Sequence, residues 1–205
     1  MKYKVIGFDY SGVITESSGS DFTLNTCKIL NIDKETFFDV YLNHNHLLNT
    51  TDIDSKDFWK ILLKKWDREN KEKEFFEFLK LSKSSDNKFN YELLDFIKEL
   101  KNFGYKIALL SNNTSKLNKT LIEAGIDILF DLILISGDVG CMKPSVEIFQ
   151  MLCGRLEIDP KELIFVDDFN KNFINAEKVG FTPVFFNISI PFCQSDFIII
   201  LYLIL

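Results

Sequence analysis

The run from Tyr3 to Phe8 is apolar but for Lys4, and it stops at Asp9, where a polar turn follows, Asp9-Tyr10-Ser11-Gly12. A short apolar run closed by turn residues predicts a buried strand. From about Thr15 to Asn87 the pattern changes, and strand signals give way to apolar residues at helical spacing. Phe22 to Leu30 predicts one helix, and Glu35 to Leu48 a second, with Phe37, Phe38, Tyr41 and Leu42 as its apolar face. Asp54-Ser55 supplies capping side chains to a third helix carrying Phe58, Trp59, Leu62, Leu63 and Trp66. Glu72 to Leu81, with Phe75, Phe76, Phe78 and Leu79, predicts a fourth. Together these read as a small helical bundle inserted early in the chain, its aromatics forming the bundle core. Ser82 to Asn87 (SKSSDN) reads as the linker out of it.

Beyond the linker, helix and strand alternate. Tyr91–Phe103 predicts a helix closed by Gly104, Lys106–Leu110 a strand, and Lys116–Ala124 a helix closed by Gly125. Leu132–Ile135 predicts a strand, and Pro144–Arg155 a helix with proline in its first turn. Leu163–Val166 is a strand ended by Asp167-Asp168, Phe173–Val179 a helix closed by Gly180, and Pro183–Phe186 a last strand. Such alternation implies right-handed crossovers and a mainly parallel sheet, a Rossmann-like α/β core. The expected division is a core of residues 1–14 and 88–190, a helical cap of residues 15–87, and an apolar tail, 191–205.

In open parallel sheets the site lies beyond the C-terminal ends of the strands. That rule selects Asp9 to Gly12, Ser111 to Thr114, the loop from Gly137 to Pro144, and Asp167 to Asn172. One polar cluster results: Asp9, Ser111, Lys143, Asp167 and Asp168. Three converging carboxylates repel one another unless something neutralises them. A hard divalent cation such as magnesium does so with oxygen ligands. A hydroxyl and an ammonium beside such an ion suit a phosphoryl group, with one carboxylate free to act as nucleophile.

Composition narrows the reading further. Across 205 residues, 46% hydrophobic and 26% charged positions are globular values and exclude wholesale disorder. A net charge of −6 lacks the basic footprint of a nucleic-acid binder, yet leaves room for a small anion held by a few cations. Cys27, Cys141, Cys153 and Cys193 form no CxxC pair, and His44 and His46 are the two histidines, so a structural zinc site is not expected. The thiols read as reduced, in a cytoplasmic protein. The apolar start before Asp9 is too short for a signal peptide. Phe197–Leu205 (FIIILYLIL) is too short to span a bilayer, which takes ~20 residues, and reads as a buried segment or a reading-frame artefact rather than an anchor. His44-Asn45-His46 reads as cap surface or the lining of a substrate entrance.

The four strand-end segments resemble the haloacid dehalogenase-like (HAD) hydrolases, over nearly the whole chain to about residue 187. The family's first motif reads here Phe8-Asp9-Tyr10-Ser11-Gly12-Val13, and its second Leu109-Leu110-Ser111-Asn112. Its third reads Met142-Lys143-Pro144, and its fourth Phe165-Val166-Asp167-Asp168 with Asn172 beyond. The Lys-Pro and Asp-Asp forms with an early helical insertion look like subfamily I, which contains sugar-phosphate phosphatases and the phosphatase domain of soluble epoxide hydrolases. The resemblance implies that Asp9 is the nucleophile and a magnesium ligand, with the main-chain carbonyl of Ser11 and the side chain of Asp168 as further ligands. It implies that Asp167 helps through water or by orienting Lys143. Ser111 and Lys143 would contact the phosphoryl group, as would main-chain N–H groups around Gly12 and Asn112. A cap closing over Asp9 implies small phosphorylated metabolites as substrates. A monomer or weak homodimer is expected, with neither nucleic acid nor membrane as partner.

One position departs from the family pattern. Phosphatases of the family usually carry a second Asp two residues after the nucleophile, as general acid and base, and here that residue is Ser11. General acid–base help is worth ~10²–10⁴ in rate, so slowed turnover is expected, least for esters with acidic leaving groups. Two other readings stand beside a slow phosphatase: a catalytically impaired protein that binds a ligand through the same pocket, and a dehalogenase- or phosphonatase-type hydrolase. The Asp167-Asp168 pair speaks against a dehalogenase, which needs no magnesium. A phosphonatase would need a cap lysine, and Lys56, Lys60, Lys64 and Lys65 read as ordinary helix-surface residues.

Overall fold

A computed structural model describes residues 2–16, 19–82 and 88–186. The apolar runs after the polar linker join the first one in a five-stranded parallel sheet of order β3-β2-β1-β4-β5. These strands are β1 (Val5–Phe8), β2 (Lys106–Ser111), β3 (Leu132–Ile135), β4 (Leu163–Asp167) and β5 (Thr182–Phe185). Every residue of β1 and β4 is buried, as continuous apolar runs in a parallel sheet require. Alternation then sends side chains to two cores. Ile6, Phe8, Ile107, Leu109, Ile164 and Val166 face α5 (Tyr91–Asn102), while Val5, Ala108, Leu110, Leu163 and Phe165 face α8 (Val146–Leu156). The chain is thus an α/β protein of Rossmann-like type, as expected.

Register places the site. Phe8 is level with Leu109 of β2 and Val166 of β4. Asp9 and Asp167 therefore leave the same edge of the sheet side by side, with Ser111 at the end of β2.

Between β1 and α5 lie four helices: α1 (Gly19–Leu30), α2 (Lys34–Thr50), α3 (Ser55–Lys65) and α4 (Glu72–Ser82). Asp33 and Asp54 cap α2 and α3, accepting from the N–H groups of Thr36 and Lys56 at 2.7 Å each. The four share a core of their own, with Phe37, Phe58, Trp59, Leu62, Trp66 and Phe75 buried. Phe37 stacks between Tyr41 and Trp66, with ring centroids 5.4 and 5.5 Å away. Phe38, expected in this core, is 44% exposed: two aromatics stand side by side on α2, and Phe37 takes the inward position. The C-terminal end of α2 reaches the sheet core at a short helix, α7 (Ser136–Val139), and at Gly140, where a Cβ would lie 4.0 Å from the Thr50 carbonyl.

Three boundaries differ from expectation. Pro144 does not start α8; Ser145 is its N-cap, accepting from Ile148 N–H, so Lys143 and Pro144 lie in the loop before the helix. The expected helix Phe173–Val179 is a 3-10 turn, Asn170–Phe173, and one short helix, α9 (Ala176–Val179). The Asn172 side chain is spent on Asp167 and that of Asn175 on the Pro144 carbonyl, which ties this segment down residue by residue. The loop from Gly137 to Pro144 contains most of α7. The helix α6 (Leu117–Ala124) ends as expected at Gly125, φ 67°, a left-handed conformation that glycine adopts freely. Residues 83–87 of the linker, Cys193 and the apolar run Phe197–Leu205 lie outside the described residues. Among the described residues Cys27, Cys141 and Cys153 are free thiols, and no helix is long and apolar enough to cross a membrane.

Candidate active site

The carboxylate oxygens of Asp9, Asp167 and Asp168 lie within 4.8 Å of one another, at the C-terminal edge of β1 and β4. Into this cluster runs the side chain of Lys143, 1% exposed. Its Nζ lies 2.9 Å from Asp9 Oδ1 and 2.6 Å from Asp167 Oδ2. Beneath the ammonium is the ring of Phe165, with Nζ 5.1 Å from its centroid, an attractive cation–π arrangement. Phe165 is held in turn by Phe149 and Phe181, which meet it edge-on at 5.4 and 6.1 Å. Gly7 makes room for that ring, since a Cβ on Gly7 would stand 2.8 Å from Phe165 Cδ2.

The two β4 carboxylates have different surroundings. Asp167 is fully buried and saturated: Oδ1 accepts from Phe169 N–H at 2.8 Å and Asn172 Nδ2 at 3.0 Å, while Oδ2 accepts from Lys143 and from Asn172 Nδ2 at 2.9 Å. Asp168 is half-buried and lies against the Gly12 main chain. Asp9 accepts twice on one oxygen, Oδ1, from Tyr10 N–H at 2.7 Å and from Lys143, which leaves Oδ2 directed elsewhere.

Electrostatics follow from this crowding. Burial pushes the Asp9 carboxyl up to about 7, against the pull of Lys143 and with the help of the Asp167 charge. Burial and Asp167 likewise raise Asp168 to about 6. Burial alone would lower Lys143, but the attraction of Asp9 and Asp167 outweighs it, and the ammonium is held above its ordinary value. Three carboxylates against one ammonium leave a deficit of two positive charges when all are ionised. A divalent cation with hard oxygen ligands matches that deficit, and these residues fit one.

The residues expected from the sequence meet as follows. Asp9, Lys143, Asp167 and Asp168 converge. Ser111 is buried at the end of β2, and Gly12, φ 77°, packs against Asp168. Ser11 is exposed beside the cluster, and its main chain bridges to Thr15. Asn112 is present, but its side chain is directed at the Lys143 main chain. His44 lies on α2, its Nδ1 2.8 Å from the Val40 carbonyl. Sequence reasoning missed Phe165 as a neighbour of Lys143. The strand pattern marked it buried, but which side chain would reach it is settled across the sheet.

The profile of the haloacid dehalogenase-like hydrolases matches residues 3–172. The chain is 30% identical over 100 residues to a glyceraldehyde 3-phosphate phosphatase of Methanothermobacter thermautotrophicus, covering 48% of this chain and 44% of that one. It is 33% identical over 92 residues to (S)-2-haloacid dehalogenase 4A of Burkholderia cepacia, covering 44% of this chain and 40% of the relative. The chain thus spans less than half the length of these curated relatives. Its fold is similar to that of a HAD family enzyme of Bacteroides thetaiotaomicron solved with magnesium and inorganic phosphate. The TM-score is 0.68 at 21% identity, over 94% of this chain and 98% of that one.

Proposed function

The chain belongs to the haloacid dehalogenase-like hydrolases, and from that premise we propose that it is a magnesium-dependent phosphatase of small phosphorylated metabolites. The observation that carries the reading is the buried Lys143 ammonium between Asp9 and Asp167, with Asp168 completing an acidic cluster. Asp9, Asp168 and the main-chain carbonyl of Ser11 would hold the magnesium ion, with Asp167 acting through Lys143. Bound there, the ion would neutralise the carboxylates and the phosphoryl oxygens.

The roles of the chain's own residues follow. Asp9 uses one carboxylate oxygen to attack phosphorus, forming an aspartyl-phosphate as the P–O bond to the leaving group breaks. Lys143 offsets charge on Asp9 and on the phosphoryl oxygens, and Ser111 donates a hydrogen bond to that group. Main-chain N–H groups around Gly12 and Asn112 add donors. Ser11 cannot donate a proton to the leaving oxygen at neutral pH, nor take one from the water that hydrolyses the aspartyl-phosphate, and both steps slow. Esters whose leaving groups need no proton suffer least, which favours acyl phosphates and anomeric sugar phosphates.

The helices within residues 15–87 act as a cap on a core of residues 1–14 and 88–190, closing over Asp9 and admitting small substrates. Support comes from their separate aromatic core and from the contact of α2 with α7 beside the Lys143 loop. A cytoplasmic monomer or weak homodimer suits such an activity.

The test is phosphate release from para-nitrophenyl phosphate, acetyl phosphate and hexose 1- and 6-phosphates, with and without magnesium, with Asp9→Asn as control. Release that needs both the ion and Asp9 is expected, strongest for acetyl phosphate. Release no greater than that of Asp9→Asn would favour the second reading, a protein that binds phosphorylated ligands without turning them over, which the Ser11 hydroxyl specifically allows.

A further inference from the structure

Lys143 belongs to no helix or strand, yet its ammonium is placed to within hydrogen-bond distance of two carboxylates. A lysine has a long flexible stem, and its head is only as well placed as its main chain. What fixes that main chain is the side chain of Asn112. Oδ1 accepts from Lys143 N–H at 2.8 Å, and Nδ2 donates to the Lys143 carbonyl at 2.9 Å. One carboxamide thus satisfies both polar groups of one residue. Two bonds to the same residue fix its rotation as well as its position, where a single bond would act as a hinge. Asn112 is anchored directly behind Ser111, the last residue of β2. On the far side, Asn175 Nδ2 donates to the Pro144 carbonyl at 2.8 Å, which secures the next residue of the loop.

We propose that Asn112 is a positioning residue whose carboxamide clamps the Lys143 main chain, so that the Ser111 hydroxyl and the Lys143 ammonium are presented as one rigid unit. Its consequence for catalysis rests on the phosphatase reading above; its consequence for where Lys143 lies does not. The loop carrying Lys143 approaches from β3 and the Asn112 loop from β2. Without the clamp the two loops could shift against each other and carry the ammonium away from Asp9. The relation between hydroxyl and ammonium matters because both would meet the same phosphoryl group, and small misplacements of such groups cost large factors in rate.

The experiment reads Lys143 directly. Brief acetylation of the intact protein by acetic anhydride, followed by peptide mass spectrometry, compares Lys143 with Lys119, whose side chain is 80% exposed. In the wild-type protein Lys143 is expected to be strongly protected. In Asn112→Ala it is expected to label roughly ten- to thirtyfold faster, the opening that follows from losing two ordinary hydrogen bonds. Asn112→Asp keeps the acceptor for Lys143 N–H and loses the donor to its carbonyl. Its second oxygen would face the Lys143 carbonyl and repel it, so it too should expose Lys143, and it serves in place of Asn112→Ala if that variant is insoluble. Asn90→Ala removes the cap of α5, the Asn90 side chain accepting from Leu93 N–H at 3.1 Å, and should destabilise without exposing Lys143. Equal Lys143 labelling in wild type and in the folded Asn112 variants would overturn the proposal, as would equal exposure of Lys143 in Asn90→Ala. Where wild type releases phosphate, Asn112→Ala should lower kcat more than it raises KM. Where it releases none, the phosphatase reading fails while the labelling result still decides the clamp.

Discussion

Gly12 lies so close to Asp168 that a methyl group in place of its hydrogen would overlap the Asp168 carboxylate at Oδ2. Its φ of 77° is also one that other residues adopt only with strain. Both demands fall on the residue that follows Ser11, so one glycine holds the turn after β1 and leaves room for a carboxylate from β4. Gly12→Ala is expected to lower stability by about 1–2 kcal/mol through the left-handed conformation alone. Pushing Asp168 aside should also weaken magnesium binding by roughly tenfold, the effect typical of disturbing a metal site's surroundings. Isothermal titration with magnesium, alongside urea unfolding, separates the two effects. Unchanged affinity would show that Asp168 does not hold the ion.

Ser11→Asp introduces a carboxylate at the position where the family resemblance expects the general acid and base. Turnover of hexose phosphates should rise by ~10²–10⁴. Acetyl phosphate should gain much less, because its leaving group departs without a proton. The ratio of the two kcat values is the informative quantity. An equal gain for both substrates would mean that the introduced carboxylate acts through charge or metal binding rather than proton transfer.

The metal-free protein should be most stable in mild acid. Folding raises the carboxyl of Asp9 to about 7 and that of Asp168 to about 6, chiefly by burying them. Between the unfolded value, roughly 4, and these folded values the native state binds more protons than the unfolded one, so stability falls as pH rises. The melting temperature in the presence of a chelator should therefore decline from pH 5 to pH 8. Magnesium should raise it most at the upper end, where the carboxylates are ionised. A chelated protein that grows more stable across this window would contradict the burial of the cluster.

Gly7→Ala tests the floor beneath Lys143. The added carbon would meet Phe165 Cδ2 at 2.8 Å and force the ring to move. Overpacking of this kind costs about 1–3 kcal/mol. Because the ring faces the ammonium, Lys143 should shift with it, and phosphate release should fall while magnesium affinity holds. Phe165→Leu removes the aromatic face without crowding and should show the same kinetic loss. Full activity in both variants would show that the ring does not support the ammonium.

Much of this was legible in the residue order, for a physical reason. Asp9, Ser111 and Asp167 each end an apolar run in a parallel sheet, and such sheets gather strand ends at one edge. Lys143 carried the signal of its proline neighbour, although Ser145 rather than Pro144 caps the helix beyond. What stayed hidden depends on side chains meeting across the fold. Neither the grip of Asn112 on Lys143 nor the ring of Phe165 beneath it has a local pattern. Phe38 shows the same limit at a smaller scale, since helical spacing cannot rank two adjacent phenylalanines. The short α7 and α9 have too few residues for any periodicity to register.

The strand that carries Asp9 sits in the middle of the sheet, yet both of its neighbours come much later in the chain. Val5 pairs with Lys106 on one side and Leu163 on the other. On a ribosome this strand emerges with no edge to join, and the helices of residues 19–82 follow before either partner exists. Those helices have a core of their own and can settle as they are made. The strand of Asp9 gains its second neighbour only once β4 has cleared the exit tunnel. Its enclosure therefore cannot precede synthesis of β4, and the acidic cluster comes into being only when Asp167 and Asp168 arrive. A ribosome paused before Leu163 would hold a chain in which all four of these helices are already made and neither Asp167 nor Asp168 yet exists.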